Sequence, residues 1–119
     1  IPVTGPVERC SWDGTDLQAE SLSTDPGMLT TSSRNPEQVL AHRQRLFHET
    51  VVRPGVTGER LDRFHLTPDP EHPAFSPMME REDARTVSVS RILFRPERWS
   101  FHYQAIAPSG WQAPVEISG

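Results

Sequence analysis

Residues 86–107, TVSVSRILFRPERWSFHYQAIA, decide the fold class. Apolar and polar positions alternate from Thr86 to Arg95 and again from Arg98 to Ala107, the two-residue period of a half-buried strand. Val87, Val89 and Leu93 fall on one side of the first run, with Ile92 and Phe94 on the other. In the second run Trp99, Phe101, Tyr103 and Ala105 share one face. Pro96-Glu97 turns the chain between them. A further turn at Pro108-Ser109-Gly110 leads into a last strand from Trp111 to Ile117. Pro114 removes a ladder donor from that strand and so assigns it to a sheet edge. This third of the chain is a β-meander.

Working back towards the N-terminus, Pro36 to Val52 carries a helical period, with Val39, Leu40, Leu46, Phe47 and Val51 on one face. Asn35 is placed to cap it, Pro36 suits its first turn and Arg53-Pro54-Gly55 ends it. Residues 60–66 fit both templates, since Leu61 and Phe64 have helical spacing while Phe64 and Leu66 alternate. A strand from Arg60 to Leu66 is expected. The proline-dense stretch from Pro68 to Pro77 reads as a loop, followed by a short helix through Met78, Met79 and Glu80. Near the N-terminus, Val7–Trp12 and Thr15–Leu22 flank Asp13-Gly14, a two-residue type I′ hairpin signal. Met28–Thr31 is expected to form a short strand. Together these elements predict one α+β domain over residues 1–119: an antiparallel sheet, N-terminal hairpin plus C-terminal meander, packed on one main helix.

Composition narrows the function classes. The chain has 119 residues, a hydrophobic fraction of 34% and a net charge of −4. The apolar fraction is below the ~45–50% usual for a globular domain, and a small chain with a thin core gains from oligomerisation. A homodimer is therefore expected. An acidic balance supplies no broad positive field for nucleic acid, and Ile92-Leu93-Phe94, the longest apolar run, is too short to enter a membrane as a span. A cytoplasmic location is the default. All twelve cationic side chains are arginine, and there are twelve prolines and a single cysteine, Cys10. One cysteine allows neither an internal disulfide nor a multi-cysteine zinc site.

Three groups of residues could carry chemistry. Arg43 falls at the centre of the helix's apolar stripe, beside Phe47, and a guanidinium cannot shed its charge there. It either pairs with an acid or carbonyl of its own chain, or reaches a pocket and holds a carboxylate. Trp99, Phe101 and Tyr103, joined by Trp111, are either plain core or the lining of an organic-ligand or peptide site. Arg43, Phe47, Trp99, Phe101, Tyr103 and Trp111 form the candidate ligand-binding set. The third group, Arg91 and Arg95 with Arg98 across the turn, reads as a solvated network with Glu97, Glu80, Glu82 and Asp83, or as an anion site. The histidines offer little: His42 and His48 miss the i, i+4 spacing of zinc motifs, and His65, Asp69 and His72 would need the proline loop to gather them. No metal and no cofactor is expected.

In its size, its lysine-free and proline-rich composition and its want of a familiar catalytic set, the chain resembles a family of small tailoring proteins. These form the lysinoalanine cross-link in lanthipeptides such as duramycin and cinnamycin. The resemblance is one of whole-chain character and carries no matched motif. It implies a homodimer that folds around a dehydroalanine-containing peptide and orients its lysine for addition, the substrate providing the base. A modified peptide or small organic substrate is then the partner. The alternatives are a non-catalytic interaction domain that docks proteins by β-augmentation, and a nuclear-transport-factor-like cone using His65 or His102 with a nearby acid.

Overall fold

The computed structural model describes residues 7–22 and 26–119. The first hairpin pairs β1 (Glu8–Trp12) with β2 (Leu17–Ser21), in register from Glu8 opposite Ser21 to Trp12 opposite Leu17. Its loop has four residues, where Asp13-Gly14 predicts two. The Asp13 carboxylate explains the difference: Oδ1 accepts from the amides of Thr15 and Asp16, both at 2.8 Å, and this local turn outcompetes the tighter one. Those bonds also hold the Asp13 carboxyl below the usual carboxylate range. Residues 28–31 form no strand.

Helix α1 (Pro36–Phe47) begins where expected, with Pro36 in its first turn. Asn35 does not cap it through its side chain. It instead adopts a left-handed backbone, φ 47°, with its carbonyl accepting from the Val39 amide. The helix runs on through one π turn (His48–Val52), in which the Arg53 amide reaches back five residues to the His48 carbonyl. Thr50 Oγ1 donates to the Leu46 carbonyl at 2.6 Å within that turn. Pro54 then stops the chain.

Residues 58–66 are helical, not extended as alternation suggests: α2 (Gly58–Leu66) is capped by Thr57, whose Oγ1 accepts from the Arg60 amide at 3.1 Å. Arg60 also donates to the carbonyls of Pro54 and Gly55, fixing the link between helices. The two helices share a small core of Phe47, Val51 and Phe64, with Met28, Leu46, Val52 and Leu61 packed around it. Phe47 meets Phe64 edge to face at 5.2 Å. Residues 77–85 contain only an isolated bridge between Glu80 and Arg85, and no helix.

The C-terminal sheet is antiparallel. Strand β3 (Ser88–Arg95) pairs with β4 (Arg98–Ala107) across the two-residue Pro96-Glu97 turn. Along its other side β4 pairs with two short strands, β5 (Gly110–Trp111) and β6 (Val115–Ser118). These are one strand interrupted by a bulge. Ile106 opposes Trp111, but Tyr103 opposes Val115, so one extra residue lies within Gln112–Pro114. The last strand is an edge strand, as Pro114 requires. Two antiparallel sheets and two helices make the class α+β, and the helix that meets the large sheet is α2, through an Asp62–Arg91 ion pair at 2.7 Å.

Candidate functional site: an uncovered aromatic sheet face

Opposed residues of an antiparallel pair share a face. The register therefore places Phe94 beside Trp99, Ile92 beside Phe101 and Ile117, and Tyr103 beside Val115, all on one side of the sheet. Helix α2 lies on the other side, against Arg91, Val89, His102 and Gln104. Among the described residues nothing covers the aromatic side. Ile92, Phe94 and Ile117 keep 56%, 58% and 54% of their surface exposed, and Trp99 and Tyr103 keep 37% and 38%. Only Phe101, flanked on both sides by isoleucines, is half-buried. With ordinary side-chain areas these exposures amount to roughly 600 Å² of contiguous apolar surface per chain. That is the upper end of the largest patch on a typical monomer, about 300–600 Å².

Trp99, Phe101 and Tyr103 thus stand together as their alternation predicts, and the structure adds Ile92, Phe94, Val115 and Ile117. Their signal was present in the sequence as a second alternating set, which becomes one surface only when the register is known. Trp111 is not among them. It opposes Ile106, on the side of the sheet where α2 lies, because the bulge puts it and Val115 on opposite faces despite a spacing of four residues. Phe47 lies elsewhere again, 7% exposed in the helical core.

Arg43 is engaged by its own chain. Nε donates to the Phe75 carbonyl at 2.8 Å, Nη2 to the Ser76 carbonyl at 3.1 Å, and Nη1 to Thr30 Oγ1 and the Thr31 carbonyl. Four of its five N–H groups are so used. Partial burial lowers its pKa from the usual arginine value, and the acceptors are what offset that burial. The residue differs from a ligand clamp in that its fork is already filled: it staples residues 30–31 and 75–76 to α1.

His42, one residue earlier on α1, holds the same loop. Its Nε2 lies 3.1 Å from Asp69 Oδ2, within ion-pair distance. Its ring meets His72 and Phe75 edge on, at 5.4 and 5.8 Å. Asp69 and His72 are thus gathered by the proline loop around His42, and not around His65, whose Nδ1 turns to the Leu61 carbonyl. Among the described residues no group of three or more His, Cys, Asp or Glu is arranged to hold a metal ion. His102 sits opposite Arg91 and Glu116, on the side of the sheet away from the aromatics.

Asp69 makes the loop acid-sensitive. The His72 amide, above all, and then the Glu71 amide and the positive charges of His42 and His72 hold its carboxyl below the usual range, against the opposing effect of burial. A carboxylate whose folded pKa lies below its unfolded value of about 3.9 stabilises the fold fully above that value. The contribution is lost as pH falls through the lower folded value. Wild type should therefore melt above Asp69→Asn at neutral pH, and the two curves should converge on acidification below the unfolded carboxylate range. A constant gap would place the anchor elsewhere.

Comparison with protein-family models, with curated proteins and with solved structures found no match. Among the described residues, no helix is long and apolar enough to cross a membrane.

Proposed function

We propose that this chain is a peptide-binding protein that acts as a homodimer in the cytoplasm, its aromatic sheet face receiving the apolar side chains of a modified peptide. The observation that supports this reading is the uncovered face itself. Roughly 600 Å² per chain is at the upper end of what a monomer exposes in one patch, the size at which such patches are often functional. Two such faces closing on one peptide between them offer roughly 1,200 Å², the lower bound of a standard stable interface. Among the strand residues of this face Tyr103 alone is titratable. A surface of that kind works by orientation, which by itself can lower a barrier by about 7–11 kcal/mol.

The finer reading is lysinoalanine formation. The amine of a peptide lysine adds to the β-carbon of a dehydroalanine, forming one C–N bond. A proton passes from nitrogen to the α-carbon, so nothing leaves and nothing is oxidised. A second reading, a non-catalytic interaction domain, draws on β3, whose outer edge carries no strand among the described residues and whose residues Ser90–Arg95 are exposed.

A peptide bearing both lysine and dehydroalanine separates the two. Added to the protein, it should change the tryptophan fluorescence and lose its capacity to form a thiol adduct as dehydroalanine is consumed. Ile92→Glu, at an exposed position, should leave the circular-dichroism spectrum unchanged, yet weaken binding about tenfold or more and shift sedimentation from dimer to monomer. Binding with thiol reactivity intact would favour the interaction domain. A monomeric protein that ignores the peptide would remove both readings of the face.

A further inference from the structure

On the opposite side of the sheet, the arginines near the Pro96-Glu97 turn have unequal fates. Arg91 pairs with Asp62 at 2.7 Å, while Asp83 is shared between Arg34 and Arg81 at 2.9 and 3.4 Å. Among the described residues, Glu97, Glu80 and Glu82 make no ion pair with either remaining arginine. Arg95 and Arg98 stand directly opposite one another, both exposed, and among the described residues neither has a carboxylate within ion-pair distance or a side-chain hydrogen bond. Like charges at opposed positions destabilise a strand pair. Here the repulsion sits beside an open groove of about 420 Å³, lined besides by Leu93, Trp99, Ser100, Glu116, Ser118 and Gly119. Leu93 is itself 45% exposed. Two free planar forks, an apolar lining and two hydroxyls in one groove define a ligand chemistry.

We propose that this groove binds a carboxylate carried on a short apolar chain, the carboxylate bridging Arg95 and Arg98 and the chain lying over Leu93. A bidentate guanidinium contact gives the geometry. Glu116, about four residues further along the strands, repels a second negative charge and sets the polarity of the groove. The same chemistry is offered by a small fatty acid and by the C-terminus of a peptide ending in an aliphatic residue. Leu93, Arg95 and Arg98 lie on the far side of the sheet from Ile92 and Phe101, Trp99 is shared between the groove and the aromatic face, and the proposal does not rest on the function proposed for that face.

Arginine Nε–H signals in nitrogen-15 spectra of the full chain test it, at constant ionic strength. Hexanoate, or the peptide acetyl-Gly-Ala-Leu with a free C-terminus, should shift the Arg95 and Arg98 signals saturably while leaving exposed Arg53 in place. Saturation by one probe and not the other identifies the source. Arg95→Gln and Arg98→Gln should each weaken binding about tenfold or more, and Arg98→Lys should not restore it, since an ammonium lacks the planar fork. Both positions are exposed, so an unchanged circular-dichroism spectrum is expected. Ile92→Glu should bind hexanoate normally, even if the aromatic face fails its own test. The proposal is overturned if hexylammonium or inorganic phosphate saturates these signals and the carboxylates do not. Shifts that grow linearly at every arginine would overturn it equally.

Discussion

Phe64→Ala is expected to lower the unfolding free energy by about 3–5 kcal/mol, the cost of emptying a core phenylalanine site. The aromatic ring is 4% exposed and meets Phe47 at 5.2 Å. Among the described residues only Val39, Phe47, Val51 and Phe64 are buried hydrophobics, so few neighbours are available to close the void. A domain of this size holds about 5–15 kcal/mol in total, and the loss is a large share of it. Denaturant titration followed by circular dichroism should show an early, shallow transition or none at all. A midpoint close to wild type would mean that the helical pair is not what holds the fold.

Arg43→Met should be nearly as damaging, for a different reason. It strands the carbonyls of Phe75 and Ser76, and Ser76 is wholly buried. Each buried acceptor left without a donor costs about 1–3 kcal/mol, so a total of about 3–5 kcal/mol is expected. The loop from Pro68 to Pro77 should become a protease site at the same time. Arg43→Lys should not rescue either property, because an ammonium cannot serve acceptors on two separate segments from one plane. An unchanged melting temperature with lost peptide binding would make Arg43 a ligand residue and not a staple.

The parts of this fold that could be read from sequence are those in which many residues repeat one statement. Ten alternating positions from Arg98 to Ala107 specify β4 to its ends, and Pro36 and Pro54 bracket a helical period too long to mistake. Helix α2 was ambiguous because Leu61, Phe64 and Leu66 satisfy two periods over nine residues. Thr57, a cap placed just ahead of the apolar positions, was the sign that distinguishes them. The first turn followed the Asp13 side chain and not the Asp13-Gly14 pair. Arg43 was conspicuous, yet its partners are mostly main-chain carbonyls, which no residue type encodes. The aromatic stripe was visible along β4, but its width came from β3 and β6. Trp111 was misplaced because a bulge of one residue leaves no mark in composition.

That bulge, with Pro114, makes the two borders of the sheet unequal. The β5–β6 border is broken in the middle and lacks a donor at Pro114, whereas β3 presents eight unbroken residues. Growth of a fibril by strand addition needs two compatible borders on every copy, one to accept and one to offer. This sheet offers only one. Two copies can join β3 to β3 and then have no free border of that kind left, so pairing through the edges of this sheet ends at a closed pair.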